Sequence, residues 1–163
     1  MDPSTPDGKA PVQVVTYRDE LRPHFERLNR AWIERHFVLE GPDLEVFRDP
    51  VRHILEPGGQ IFFLLDDAGV QGTCAVVPYR PGILELVKMA VSEAARGRGY
   101  GDRLMEAAIA HARDAGADRL MLVSNTRLEP AIRLYRKHGF VEVPIEDMQG
   151  YERVDIQLEL RLR

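Results

Sequence analysis

The stretch ILELVKMAVSEAARGRGYGDRLMEAAIAHARDAG, residues 83–116, decides how this chain folds. Ile83 to Val91 is an aliphatic, partly β-branched run of the kind that forms a strand. From Tyr100 to Ala115 the residues Leu104, Ala107, Ala108, His111 and Ala112 recur at helical spacing, and Gly116 supplies a stop. Between strand and helix stand Gly97, Gly99 and Gly101, alternate positions at which backbone without Cβ can approach a ligand closely. The first amides of a helix lack internal partners and the dipole adds partial positive charge there. A pyrophosphate is therefore well accommodated, and Arg96 and Arg98 can add charge-assisted contacts.

Competing glycine motifs fail residue by residue. A Walker A loop needs Gly-Lys-Ser/Thr, which is absent. A dinucleotide fingerprint beginning at Gly97 would place its third glycine where Asp102 stands. By itself the turn remains compatible with a plain tight turn whose arginines are solvated.

Working outward, strand signals run from Val12 to Tyr17, and a helix from Leu21 to about Phe37 carries Leu21, Phe25, Leu28, Trp32 and Ile33 on one face. A shorter helical segment through Val46, Phe47, Val51 and Ile54 is interrupted by Asp49-Pro50. Gln60–Leu65, Val70–Val77 and Ile83–Val91 form an antiparallel meander, because only short turns separate them. Beyond the glycine turn and its helix come a strand at Leu120–Val123 and a helix at Glu129–Lys137, then strands at Val141–Ile145 and Val154–Leu162. The expected fold is mixed α/β: a mostly antiparallel central sheet flanked by helices, in the order β-α-α-β-β-β-α-β-α-β-β.

The chain has 163 residues, 44% of them hydrophobic, enough for one compact domain over residues 11–163 behind a polar, flexible leader at residues 1–10. No apolar run is long enough for a membrane span, and the N-terminus lacks a secretory pattern, so a soluble, cytoplasmic protein is expected. A net charge of −4 argues against nucleic-acid binding. Cys74, the single cysteine, lies in an apolar run and reads as core. The five histidines show no ligand spacing, so no metal site is expected.

The strand Leu84–Val91 followed by Arg96-Gly97-Arg98-Gly99-Tyr100-Gly101 resembles the acetyl-CoA signature of the GNAT superfamily of N-acetyltransferases, Gln/Arg-x-x-Gly-x-Gly/Ala. Downstream, Ala131-Ile132-Arg133-Leu134-Tyr135-Arg136-Lys137-His138-Gly139-Phe140 is similar to the second signature of that family. The resemblance covers essentially residues 12 to 162. It implies a sheet splayed open between the strand ending at Val91 and the strand Leu120–Val123, with the pantetheine arm of acetyl-CoA bonded to the backbone of Met89 and Val91 like an extra strand. An amide near Met89 or Ala90 would polarise the thioester carbonyl, and the turn from Arg96 through Tyr100 and Gly101 to Asp102 would hold the pyrophosphate. Many relatives carry Asn where this chain has Leu128, and Asn125 is the substitute contact to the pantetheine.

Acetyl transfer to an amine needs a base and an acid. By the resemblance, Tyr135 stands near the coenzyme sulfur and is the candidate acid, although a core tyrosine would look the same in sequence. Glu85 is a carboxylate within an apolar run, where desolvation raises its pKa, and it aligns with the base of the family's histone-acetyltransferase branch; a solvated strand residue paired with Lys88 or Arg80 is the other reading. Glu34, His36 and Trp32 lie in the region that lines the acceptor cleft in this family. The expected function is transfer of acetyl from acetyl-CoA to a primary amine of a small molecule or peptide, without a metal. The alternatives are a non-catalytic acyl-CoA-binding module and a transferase of longer acyl groups. Sheet edges and the alternating last strand permit a homodimer.

Overall fold

The computed structural model describes residues 11–163, so the leader at residues 1–10 lies outside the described residues. Eleven elements follow in the expected order: β1 (Gln13–Thr16), α1 (Arg22–His36), α2 (Gly41–Arg48), β2 (Gln60–Asp66), β3 (Gly69–Arg80), β4 (Ile83–Val91), α3 (Tyr100–Asp114), β5 (Arg119–Ser124), α4 (Glu129–Lys137), β6 (Val141–Val143) and β7 (Ile156–Arg161). They build one seven-stranded sheet of order β1-β2-β3-β4-β5-β7-β6. Every pairing is antiparallel except β4 with β5.

Some boundaries differ from the expectation for local reasons. Helix α2 already begins at Gly41, because Pro42 suits a first turn and Glu40 and Asp43 cap the start reciprocally. It ends at Arg48, and beyond Pro50 the chain makes a π-turn at Val51–Leu55. Strand β6 stops at Val143, before Pro144, which has no amide to give a ladder. Strand β7 starts at Ile156, just after the Asp155 amide donates to the Ser124 carbonyl at 3.0 Å and the Asp155 carboxylate accepts from the amide and hydroxyl of Thr126 at 2.8 and 2.9 Å.

Each sheet face is covered. Helix α3 packs Leu104, Met105 and Ala108 onto one face, over Leu64, Val76 and Leu120. On the other face, Phe25 and Ile33 of α1 and Phe47 of α2 meet Ile61, Phe63 and Ala75. Cys74 is fully buried in the first core and free, as its apolar context implies.

Two irregularities in β4 shape the interior. Its pairing with β5 covers only Ile83–Glu85 against Arg119–Met121. Its pairing with β3 passes from Val87↔Ala75 to Ala90↔Thr73, so Lys88 and Met89 together oppose Cys74 in a bulge. Lys88 sits there at φ 55°, a left-handed conformation that costs a side-chain-bearing residue about 1–2 kcal/mol.

The cost is met by what the Lys88 side chain reaches. Its Nζ donates to Asp43 Oδ1 at 2.6 Å and to the Tyr151 hydroxyl at 2.9 Å. Arg153 grips the same carboxylate through two nitrogens at 2.7 and 2.8 Å and also reaches Glu40 at 3.1 Å. Asp43 is wholly buried. Burial alone would push its carboxyl up, but the hydrogen bonds from Arg153 and then Lys88 overcome that and hold it well below the ordinary carboxylate range.

Replacing Asp43 by Ala leaves half-buried Arg153 with Glu40 alone and half-buried Lys88 with the Tyr151 hydroxyl, and chemical denaturation should show a loss of about 1–3 kcal/mol. Because the folded-state pKa is depressed, the wild-type contribution should be complete above about pH 4, the unfolded carboxylate value, and fade as pH falls through the lower folded value.

Candidate active site

Past Glu85 and Met121 the two central strands separate, and the edge of β4 from Leu86 to Val91 has no strand beside it. A cavity of about 430 Å³ opens in this gap. Leu86 to Met89 form one wall and Leu122 to Ser124 the other, while Tyr135 and Leu128 close the side nearer α4. Helix α4 has no fully buried residue: Ile132, Leu134 and Tyr135 are half-buried, and of these Tyr135 lines the cavity. Backbone amides and carbonyls along the free β4 edge need partners that this sheet does not supply.

The glycine turn follows the end of β4 and opens α3, with Gly101 packed against Leu134 of α4. Gly97 and Gly99 adopt φ 79° and 78°, and a Cβ at either would meet nothing within 4 Å. Conformation, and not crowding, is therefore what calls for glycine at these two positions. The amide of Arg103 donates to Gly99, whereas those from Gly97 to Asp102 have no backbone acceptor. This is the row of free donors that the sequence promises. The Tyr100 side chain turns inward, its hydroxyl donating to Asp66 Oδ2 at 2.7 Å, so only its backbone faces the turn. Arg98 lies 3.6 Å from the same carboxylate and is half-exposed. Asp102 is occupied by Lys137 at 2.9 Å and His138 at 2.8 Å, contacts that pin the end of α4 to the start of α3.

Glu85 and Tyr135, distant in sequence, both line the cavity. Glu85 is 4% exposed, and its Oε2 has no hydrogen-bond partner. The sequence allowed it an ion pair with Lys88 or Arg80, but Lys88 is taken by Asp43 and Arg80 by Glu146. Burial pushes the Glu85 carboxyl up to about 7, with Gln149 and Lys88 nearby offsetting part of the rise. Burial likewise pushes the Tyr135 phenol up to about 12, so it keeps its proton at neutral pH. Met89 and Val91 line the free edge half-buried, and Ala90 between them is buried.

Other candidates separate in the fold. Trp32 lines the cavity, while Glu34 is exposed and bonded to Arg30, and His36 is exposed beside the Trp32 ring. Asn125 also lines the cavity, but its amide already donates to the carbonyl of Arg153 at 2.8 Å and accepts from the amide of Arg127 at 2.8 Å. Among the described residues no cluster of His, Cys, Asp or Glu is placed to hold a metal.

Sequence reading passed over Gln149, Tyr151 and Arg153, which join the cavity from the connection between β6 and β7. The charged pattern at Tyr151-Glu152-Arg153 was a faint signal, but nothing local links it to Asp43.

A sheet with one parallel pair that opens into a cleft beside a glycine turn is the acyl-CoA N-acyltransferase architecture. The chain belongs to the acetyltransferase (GNAT) family, whose model matches residues 17–140. It superposes on an acetyltransferase of the GNAT family from Staphylococcus aureus with a TM-score of 0.84 at 15% identity, covering 94% of this chain and 100% of that one. A phosphinothricin acetyltransferase from Sinorhizobium meliloti, in complex with acetyl-CoA, gives 0.75 at 17% identity over 93% of this chain and 88% of that one. A mycothiol acetyltransferase of Corynebacterium glutamicum is 34% identical over 80 residues, 49% of this chain, and the match spans only 27% of that longer protein.

Gly99→Ala would impose the left-handed penalty of about 1–2 kcal/mol on the turn. Calorimetry should show coenzyme A binding weakened about tenfold with little change in the overall fold.

Proposed function

We propose that this protein transfers the acetyl group of acetyl-CoA to a primary amine of a small molecule or peptide by direct attack in a ternary complex. The observation that carries this reading is a buried, unpaired carboxylate and a protonated phenol lining one cavity beside a free strand edge. The pantetheine arm lies along Met89–Val91, and the pyrophosphate sits on the amides from Gly97 to Asp102, with Arg96 and Arg98 adding charge and Asn125 flanking the arm. A backbone amide at Met89 or Ala90 polarises the thioester carbonyl.

Glu85 takes a proton from the attacking amine, directly or through a water, as nitrogen bonds to the carbonyl carbon. The tetrahedral adduct then expels the thiolate, Tyr135 gives a proton to sulfur, and the proton held by Glu85 passes through solvent to restore the phenol. The products are an N-acetyl amide and free coenzyme A. A group with a pKa near 7 is well matched to the first role, and a phenol that stays protonated at neutral pH to the second.

The single, buried cysteine is compatible with a cytoplasmic setting, and among the described residues no helix is long and apolar enough to cross a membrane. The short edge strand β6, with Val141 exposed, is where a second copy would add to the sheet.

Thiol release with an acceptor whose own pKa lies well below 7 isolates the base. Activity should rise with pH through about 7, and Glu85→Gln should cost about 10²–10⁴-fold and remove that limb. The same substitution should raise thermal stability at pH 8, where the wild type buries a charge. The difference should shrink below about pH 7 and vanish near pH 4, where Glu85 is neutral in both the folded and unfolded chain. Tyr135→Phe should lower kcat with little change in acetyl-CoA binding; unchanged turnover would remove the acid role.

A further inference from the structure

The acceptor end of the cavity holds two complementary orphans. Glu85 Oε2, an acceptor, and Gln149 Nε2, a donor, are both buried without a hydrogen-bond partner, a state that few native polar atoms occupy. Both residues line the cavity, and the Gln149 amide lies close enough to oppose the rise in the Glu85 pKa, yet the pair leaves these two atoms unsatisfied. Gln149 is held at φ 57°, its backbone N–H donating to Asp147 Oδ1 at 2.8 Å, so a strained turn presents the side chain there.

The remaining surroundings limit what can meet these two atoms. Trp32, Phe37, Val46 and Ile54 make an apolar wall. The two cations that line the cavity, Lys88 and Arg153, are committed to Asp43 and Glu40. An acceptor carboxylate would therefore meet Glu85 with no uncommitted lysine or arginine in the lining to offset the repulsion, while His53, the other basic side chain of the lining, is exposed to solvent. An uncharged oxygen would instead satisfy Gln149 while the neighbouring amine satisfies Glu85.

Resting on the acetyl-transfer reading, we infer that the acceptor is a primary amine with an uncharged oxygen on the adjacent carbon unit and an apolar body, an α-amino amide or β-amino alcohol. Gln149 is the residue that recognises that oxygen. Free amino acids and plain alkylamines are the disfavoured neighbours of this class. Losing one buried donor-acceptor pair leaves an unpaired group and costs on the order of tenfold in affinity.

The test uses four acceptors with one body: phenylalaninamide, phenylalaninol, 2-phenylethylamine and phenylalanine. Their affinities for the coenzyme A-loaded protein are measured by calorimetry, and their turnover with acetyl-CoA by thiol release, for the wild type and Gln149→Ala. The amide and the alcohol should bind about tenfold more tightly than the amine, and phenylalanine most weakly. In Gln149→Ala the ratio of amide to amine should fall toward one; differences in basicity cancel in this comparison of ratios. A second variant, Gln149→Leu, of similar size, should behave alike, and melting curves verify that both fold. Equal binding of amide and amine, a ratio that survives both variants, tightest binding by phenylalanine, or no binding by any of the four overturns the inference. Selective binding without thiol release would instead overturn acetyl transfer and leave the recognition site standing.

Discussion

The separation of β4 from β5 after three paired residues is the constraint on which the site depends. Strands that stayed paired would satisfy one another's backbone and leave no gap. Divergence after Glu85 frees the β4 edge, opens the cavity, and places the Glu85 side chain where the space begins. Because the cavity lies inside the sheet and not on its surface, groups that face it are shielded from water while remaining open to a ligand. This combination raises the pKa of Glu85 without locking the carboxylate into an ion pair.

The cluster around Asp43 complements the gap. It joins the β4 bulge, the start of α2 and the chain between β6 and β7, three segments far apart in sequence. Lys88 would be strained and desolvated without it, and Arg153 would be a buried cation. Neutralised by Asp43 and Glu40, both lend shape to the acceptor side while contributing little net charge. Glu85 is thus the uncompensated ionisable group in that part of the cavity, and the field that an acceptor meets is governed by it. A buried ion cluster of this kind is weak evidence of stability gained, since desolvation consumes much of the attraction, but it strongly disfavours any rearrangement that would separate its members.

The glycine turn was far more legible than the cluster around Asp43, for a physical reason. Binding through backbone depends on local conformation, and local conformation leaves marks: Gly97 and Gly99 are required by their dihedral angles and appear as glycine. Glu85 stood out because a carboxylate in an aliphatic strand is uncommon. Lys88 carried no comparable mark, since a lysine in a strand ordinarily points to solvent. Asn125 carried no mark of its bonds to the turn at residues 125–127 and to the carbonyl of Arg153, because the second partner lies 28 positions away.

The sequence by itself determined the order of elements, the mixed α/β class and the glycine turn, and it singled out Glu85 and Tyr135 among the ionisable groups that line the cavity. All of these follow from periodicity, backbone preference or an anomalous residue within a short window. Only the tertiary structure decided that Glu85 has no ionic partner, that Asp43 binds both Lys88 and Arg153, and that Gln149 arrives beside Glu85. Those facts concern which charges are neutralised and which are left over, and this is settled by contacts between residues up to 113 positions apart. Such pairings depend on where the whole sheet brings the loops, and no local pattern encodes them.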